Sequence, residues 1–382
     1  MTDFLDQKIC DDFRNTINRT PIFMHDERYK SNFNLYCAIM DRVDDSIKYL
    51  NEHSESPKTE SDFLVFIMYA CMVLDAVNEL QRNLKFKNTY DNSTDKDAYL
   101  YFKEICINQL ELSADECPTD EQFFRYFRSL SMAHPFETNR VAFLRENKEI
   151  QYSPWVIANS RFSGTPLVGI RIYSSKSDYI KDLKFPFSIL KGYIQSRFEL
   201  MKLATASLAE IVNHQLDIWK SEKIPATLSP IDTLNAIRDM LIRRYEKPYP
   251  INDLISCMTI ELSNSDNNDI LEDYQEVIKS NIPAIRAAVE NLDYETMYEL
   301  TDSIYGVRPE RMHEQAHYQL EKIYTYLTHG DHTWGIEQAD AFSNEFASKW
   351  VTIKAHSMPD DEIIILTHIA CYYEAMEQSK LS

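Results

Sequence analysis

The chain has 382 residues, a formal charge of −20 and 44% hydrophobic residues, which is enough material for two domains with a core each. It has only six glycines, too few for the turns of a sheet-rich enzyme, and neither G-x-G-x-x-G nor G-x-x-x-x-G-K-[ST] occurs, so nucleotide-loop enzymes are disfavoured. Seven scattered cysteines without a C-x-x-C fit reduced thiols, and the acidic start Met1-Thr2-Asp3-Phe4-Leu5-Asp6 is unlike a signal peptide, so a soluble, cytoplasmic protein is expected.

The first helical pattern covers 28–52, with Phe33, Tyr36, Cys37, Met40, Val43, Ile47 and Leu50 in phase. A polar connector containing Pro57 follows. Thr59 and Asp62 then make a capping pair for a helix over 60–84. Its uncharged run, Phe63 to Leu74, is shorter than the roughly 20 residues of a membrane span, so a buried core helix is expected and no membrane. Helices near 96–111 and 119–133 come next, the second opened by Thr119-Asp120-Glu121. The texture then changes to a β-hairpin near 152–174. Trp155-Val156-Ile157 and Leu167–Tyr173 flank Ser163-Gly164-Thr165-Pro166, and Val168, Ile170 and Ile172 alternate onto one face. A long helical pattern resumes from Phe187 to Lys220.

Lys223 to Pro230 reads as the boundary between an N-terminal domain, 1–222, and a helical C-terminal domain, 223–382. Ser229-Pro230-Ile231-Asp232 opens a helix with an N-cap, a proline at the first position and an acid. Helical patterns follow near 230–246, 269–291, 294–304, 309–328, 335–352 and 360–378. The charge is uneven. Between Arg140 and Lys202 eleven basic residues face five acidic ones, so that segment is +6 and the remainder −26. Such a segment is either an ordinary solvated face or a phosphate-binding surface in an acidic protein.

The stretch Arg125-Tyr126-Phe127-Arg128-Ser129-Leu130-Ser131-Met132-Ala133-His134-Pro135 leads into that basic segment. Pro135 disfavours helical geometry at His134, so a helix should end there. Histidine exchanges a proton near neutral pH, and arginine offers a fixed charge with a fork of donors for phosphate. RNA cleavage without a metal needs that pair: a base for the 2′-hydroxyl proton and a cation for the crowded phosphorane.

This segment resembles the HEPN superfamily, helical bundles of prokaryotic defence and toxin systems. Their signature is an arginine, four to six residues and a histidine, often followed by proline. Here the spacer between Arg128 and His134 is five residues and Pro135 follows. One position departs: Ser129 stands where many active members carry Asn, Asp or His. Over residues 28–222 the resemblance implies a HEPN-like bundle with the β-hairpin as an insertion. It further implies an endoribonuclease acting as a toxin or anti-phage effector, whose two protomers bring their Arg–His pairs together. Arg128 and His134 would be catalytic, and Arg125, Asn139 and Arg140 would position phosphate. RNA, a second copy of the chain and a regulatory protein are the partners expected, with no cofactor and no metal.

Four arginine–histidine pairs fit the spacing: Arg19–His25, Arg128–His134, Arg308–His313 and Arg311–His317. Prolines interrupt the first and third, and of the four the Arg128 pair alone ends a helix before the basic segment. Two other constellations stand beside it. His313-Glu314-Gln315-Ala316-His317 is a literal H-E-x-x-H that on a helix would put both histidines on one face for zinc. Asp75 and Glu79 emerge one turn apart from the apolar helix 60–84. The alternatives to a ribonuclease are therefore a non-catalytic helical regulatory or scaffold protein, and a zinc hydrolase at 313–317. Overall a mainly α protein is expected, with a second all-helical domain after the bundle.

Overall fold

Capping residues set where the helices begin. At Thr59 the side-chain oxygen accepts the Asp62 N–H at 3.1 Å, and Asp62 accepts the Thr59 N–H at 2.9 Å. The same reciprocal pair recurs between Thr119 and Gln122, at 2.9 and 3.3 Å. Each box satisfies amide groups that a helix start leaves unpaired. The structure, a computed structural model, describes residues 3–137, 143, 148–176 and 180–381. Asn139 and Arg140 lie outside the described residues.

The protein is mainly α-helical with a small antiparallel sheet. It divides into two compact units, Met1–Asn213 and His214–Ser382. The first begins with α1 (Gln7–Asn18), α2 (Ile22–His25), α3 (Phe33–Glu52), α4 (Glu60–Leu84), α5 (Lys103–Leu110) and α6 (Asp120–Arg128). A sheet follows: β1 (Gln151–Tyr152), β2 (Val156–Phe162), β3 (Thr165–Ser174) and β4 (Ile180–Pro186). Then come α7 (Phe187–Phe198) and α8 (Met201–Ser221), through which the division passes. The sequence patterns anticipate neither α1 nor α2. In α1, Ile9, Cys10, Phe13 and Ile17 are buried behind an Asp6 cap.

Helix α4 packs against α3, α7 and β2. It is the one helix among the described residues long and apolar enough to cross a membrane, running well past the uncharged stretch that the sequence singles out. Phe63, Phe66, Ile67, Ala70, Val73, Leu74 and Val77 are buried along it, so its apolar side faces protein. Around it gathers an aromatic core. Phe102 stacks on Phe123 at 4.4 Å, and Phe127 meets Phe185 edge-on at 5.2 Å.

Strand β3 is the spine of the sheet. β1 and β2 pair antiparallel to it, and β4 pairs antiparallel along Leu167–Tyr173. Val168, Ile170 and Ile172 are buried on one face, as the alternation predicts. The expected hairpin is thus real but incomplete. β4 escapes the sequence because Lys181, Asp182 and Lys184 interrupt its apolar residues; Lys184 pairs with Asp182 within the strand, while Arg171 and Glu111 come from other elements. The expected single helix from Phe187 to Lys220 is two helices, with Glu199 and Leu200 turning between them.

The second unit comprises α9 (Pro230–Arg243), α10 (Tyr249–Thr259), α11 (Asn268–Glu290), α12 (Tyr294–Asp302), α13 (Ala316–Thr328), α14 (His332–Glu345) and α15 (Asp360–Leu381). Leu234, Ile237, Ile251, Tyr274, Ile285, Ile323, Phe342, Leu366 and Ile369 are among its core residues. One charge lies inside it. Arg244, with no exposed surface, donates to the Val289 carbonyl at 2.6 Å and to the Trp219 carbonyl, and lies 3.5 Å from Glu222.

Candidate functional site at the end of helix α6

Helix α6 is short and two-faced. Phe123, Phe124, Tyr126 and Phe127 are buried, while Arg125 is exposed and Arg128 half-buried. Tyr126 locks the inner face: its ring stacks on Phe143 at 3.9 Å and its hydroxyl donates to Gln151 Oε1 at 2.7 Å. The outer face then holds a fixed orientation.

After Arg128 the backbone widens into a π turn, Ser129–Ala133. The His134 N–H donates to the Ser129 carbonyl at 2.7 Å, five residues back, and closes it. A π turn accommodates one more residue per turn than an α-helix and is found mostly as single turns, often at functional sites. The helix stops at His134, whose φ of −143° and ψ of 61° lie outside the α region that a following proline disfavours. Ser153 N–H then donates to the Pro135 carbonyl at 2.7 Å, which ties the exit segment to the sheet. The His134 side chain is exposed, and Phe136 beside it is 80% exposed.

Arg128 is not alone. Its Nη1 lies 3.5 Å from Asp75 Oδ2 on α4, with side-chain exposures of 35% and 59%. The sequence singles out both Asp75 and Arg128, and the fold brings them together across 53 positions. Glu79, the other acid of that pair, turns instead to Arg82 at 3.0 Å. Arg125 donates to Glu121 at 2.7 Å, and Glu121 also accepts the buried Tyr193 hydroxyl at 2.5 Å. Burial, with Glu121 adding to it, holds that hydroxyl well above its ordinary range. On α4 the Cys71 thiol is pushed up to about 12 by burial, with Arg128 opposing, so it is protonated and unreactive at neutral pH. Phe136 is the residue that sequence reasoning passes over. Its exposure is the signal, and exposure is not written in a single aromatic letter.

The basic segment is less free than its charge count suggests. Arg171 bridges Asp182 at 2.5 Å and Lys184 bridges the same carboxylate at 2.9 Å. These partners hold the Asp182 carboxyl down to about 2. Lys181 pairs with Glu111 at 3.1 Å. Arg197 is buried 3.7 Å from Asp120, with its guanidinium over the rings of Tyr90 at 4.0 Å and Tyr193 at 4.6 Å. Among its described residues this stretch still offers solvent Arg161, Lys176, the Lys148 turn and Lys202, the last 3.8 Å from Glu199.

The H-E-x-x-H does not form a zinc face. Helix α13 begins at Ala316, so His313 and Glu314 precede it and only His317 is helical. His313 Nε2 lies 2.7 Å from Gln319 Oε1 and 3.0 Å from Glu345 Oε2, so that nitrogen is engaged with protein acceptors. His317 is exposed. Pro309 and the turn at Glu314-Gln315 delay the helix that the sequence pattern starts at 309. Among the described residues no three His, Cys, Asp or Glu side chains converge to hold a metal ion.

Compared with protein-family models, with curated proteins and with solved structures, the chain matches none.

Proposed function

We propose that the protein cleaves RNA without a metal, using Arg128 and His134. One observation carries the reading. The π turn ends on His134 and leaves its side chain exposed, while the last α-helical residue before that turn is the half-exposed Arg128. In the proposed reaction the imidazole takes the proton of a ribose 2′-hydroxyl. The oxygen attacks the adjacent phosphorus, and the bond to the 5′-oxygen breaks. A protonated imidazole supplies the leaving oxygen's proton. The products are a 2′,3′-cyclic phosphate and a 5′-hydroxyl. Arg128 stabilises the charge that builds on the phosphorane oxygens, and Arg125, Asn139 and Arg140 position the phosphate. A dimer that brings two such pairs together belongs to the same proposal, as does a role in toxicity or phage defence.

The test is direct. Purified protein is incubated with cellular RNA in the presence of a chelator, alone and with lysate from phage-infected cells. Cleavage is expected to persist with the chelator and to fall by about 10²–10⁴-fold in His134→Ala, with helical circular dichroism unchanged. Products lacking the cyclic phosphate would sink the mechanism.

A second reading is favoured by the ion pairs. Arg128 and Arg125 already face Asp75 and Glu121, as cations that merely fasten a helix end would. On that reading the chain is a non-catalytic scaffold, Arg128→Ala changes only thermal stability, and no RNA is cut.

A further inference from the structure

Three aromatic rings stack along the α3–α4 hairpin. His53 lies on Tyr49 with centroids 3.9 Å apart and planes at 13°, and Tyr49 lies on Tyr69 at 4.1 Å and 18°. A ring has two faces, so the order is His53, Tyr49, Tyr69. His53 Nδ1 is held 2.8 Å from the Tyr49 carbonyl oxygen, which fixes one end. His53 is exposed and both tyrosines are half-exposed. Core aromatics bury both faces; this stack opens onto a cleft of about 260 Å³ bordered by Tyr49 and Tyr69 together with Arg42, Lys48 and Met72. That is just below the roughly 300–1,000 Å³ of small-molecule sites, so it suits one planar ring better than a whole cofactor.

The cleft lies between two helical stripes. Arg42, Asp45, Tyr49 and Glu52 recur on α3 at spacings of three and four, and Tyr69, Met72 and Asp75 recur on α4 at spacings of three. Asp75 is the residue that meets Arg128. Six helical residues from Tyr69 to Asp75 rise about 9 Å, a length covered by about three stacked nucleotides at ~3.4 Å each.

We propose that this groove binds single-stranded RNA, with one base stacked on Tyr69 and the flanking phosphates on Arg42 and Lys48. The direction of the strand toward Arg128 rests on the ribonuclease reading; the binding does not. Stacking tolerates any base because every base has a π face. Asp45 and Glu52 in the same cleft accept hydrogen bonds from the amino edges of bases. They also cancel the two cations formally, so stacking outweighs phosphate attraction and the salt dependence is shallow. The formal charge of the cleft is zero, so charge neither selects nor rejects a basic peptide there, and it is the open ring of Tyr69 that favours a base.

The test is fluorescence anisotropy with a labelled single-stranded oligoribonucleotide and its duplex, on the full chain carrying His134→Ala so that the strand survives. The single strand binds more tightly than the duplex. Tyr69→Ala weakens it at least about fivefold, the low end of what a stacked base contributes, and Tyr69→Trp restores it. Arg42→Glu, an exposed change that leaves the stack intact, weakens it too. The slope of log affinity on log salt is shallower than the roughly −1.4 that two fully neutralised phosphates would give. Absence of single-strand binding, unchanged affinity in both Tyr69→Ala and Arg42→Glu, or preference for a labelled oligoarginine overturns the groove. The two proposals part cleanly. RNA bound through Tyr69 but never cut by the wild type keeps the groove and removes the nuclease; RNA cut with a KM indifferent to Tyr69→Ala does the reverse.

Discussion

His368 on α15 lies between the rings of Tyr305, at 3.7 Å, and Tyr324, at 4.6 Å, and its Nδ1 donates to the Tyr305 carbonyl at 2.7 Å. Burial, reinforced by the Arg308 charge, lowers it from 6.5 to about 3. In the window between those values the unfolded chain binds a proton that the folded chain refuses. The stabilisation is therefore complete above pH 6.5 and is lost on descending toward pH 3, with a slope of up to about 1.4 kcal/mol per pH unit. Asp253 works the other way. Burial raises its carboxyl to about 6, so the folded state holds the extra proton and this group's contribution falls as pH rises from 3.8 to 6. The difference between variants isolates the histidine: urea midpoints of His368→Phe should fall less steeply with acid than those of the wild type, and parallel curves would refute the assignment. At this scale the sequence marks residues but not their company. Spacing and Pro135 single out Arg128 and His134 as candidates, whereas the carboxylate facing Arg128 comes from another helix. Asn139 and Arg140 lie outside the described residues, so their expected phosphate contacts remain part of the proposal.

Among elements, β3 depends on a residue that carries no side chain. A Cβ at Gly169 would meet the Leu183 carbonyl oxygen at 1.9 Å, against backbone that cannot yield. Gly169→Ala should therefore push β3 and β4 apart and cost about 1–3 kcal/mol, the usual range for overpacking. A calorimetric melt with an unchanged transition would show that the strands separate at no cost. Elements with strong local signals are legible: the capped α4 and α6, the alternating β3, and α9 behind Ser229-Pro230. The π turn is not legible, because five residues of ordinary helix-forming texture give no hint that the ladder slips by one; Pro135 dictates only that it must end. β4 and the delayed start of α13 fail for related reasons. The charges of β4 look solvated until Glu111 and Arg171 are seen opposite Lys181 and Asp182, and the apparent pattern from Arg308 to Ala316 runs through a proline and a turn.

At the scale of the whole molecule the division falls between Asn213 and His214, inside α8, ahead of the Lys223–Pro230 connector that composition points to. Arg244 supplies the physical reason for the later residues of α8 belonging with the second unit. Its buried guanidinium needs the Trp219 carbonyl and Glu222, both before residue 223. A fragment of residues 214–382 keeps them, and one of 223–382 leaves the charge without them. The shorter fragment should be less stable by roughly 3–5 kcal/mol, as for a buried pair stripped of one partner. Equal urea midpoints would place the boundary at the connector after all. The sequence alone determined the mainly helical class, the core faces and the helix end at His134, because periodicity, caps and proline act over a few residues. Only the tertiary structure decided that Asp75 faces Arg128, that much of the basic segment is already paired, that His313 and His317 do not share a helix, and that two of three stacked rings border a cleft with Arg42. Those are contacts between distant positions, and their free energies belong to the packed molecule rather than to any stretch of chain.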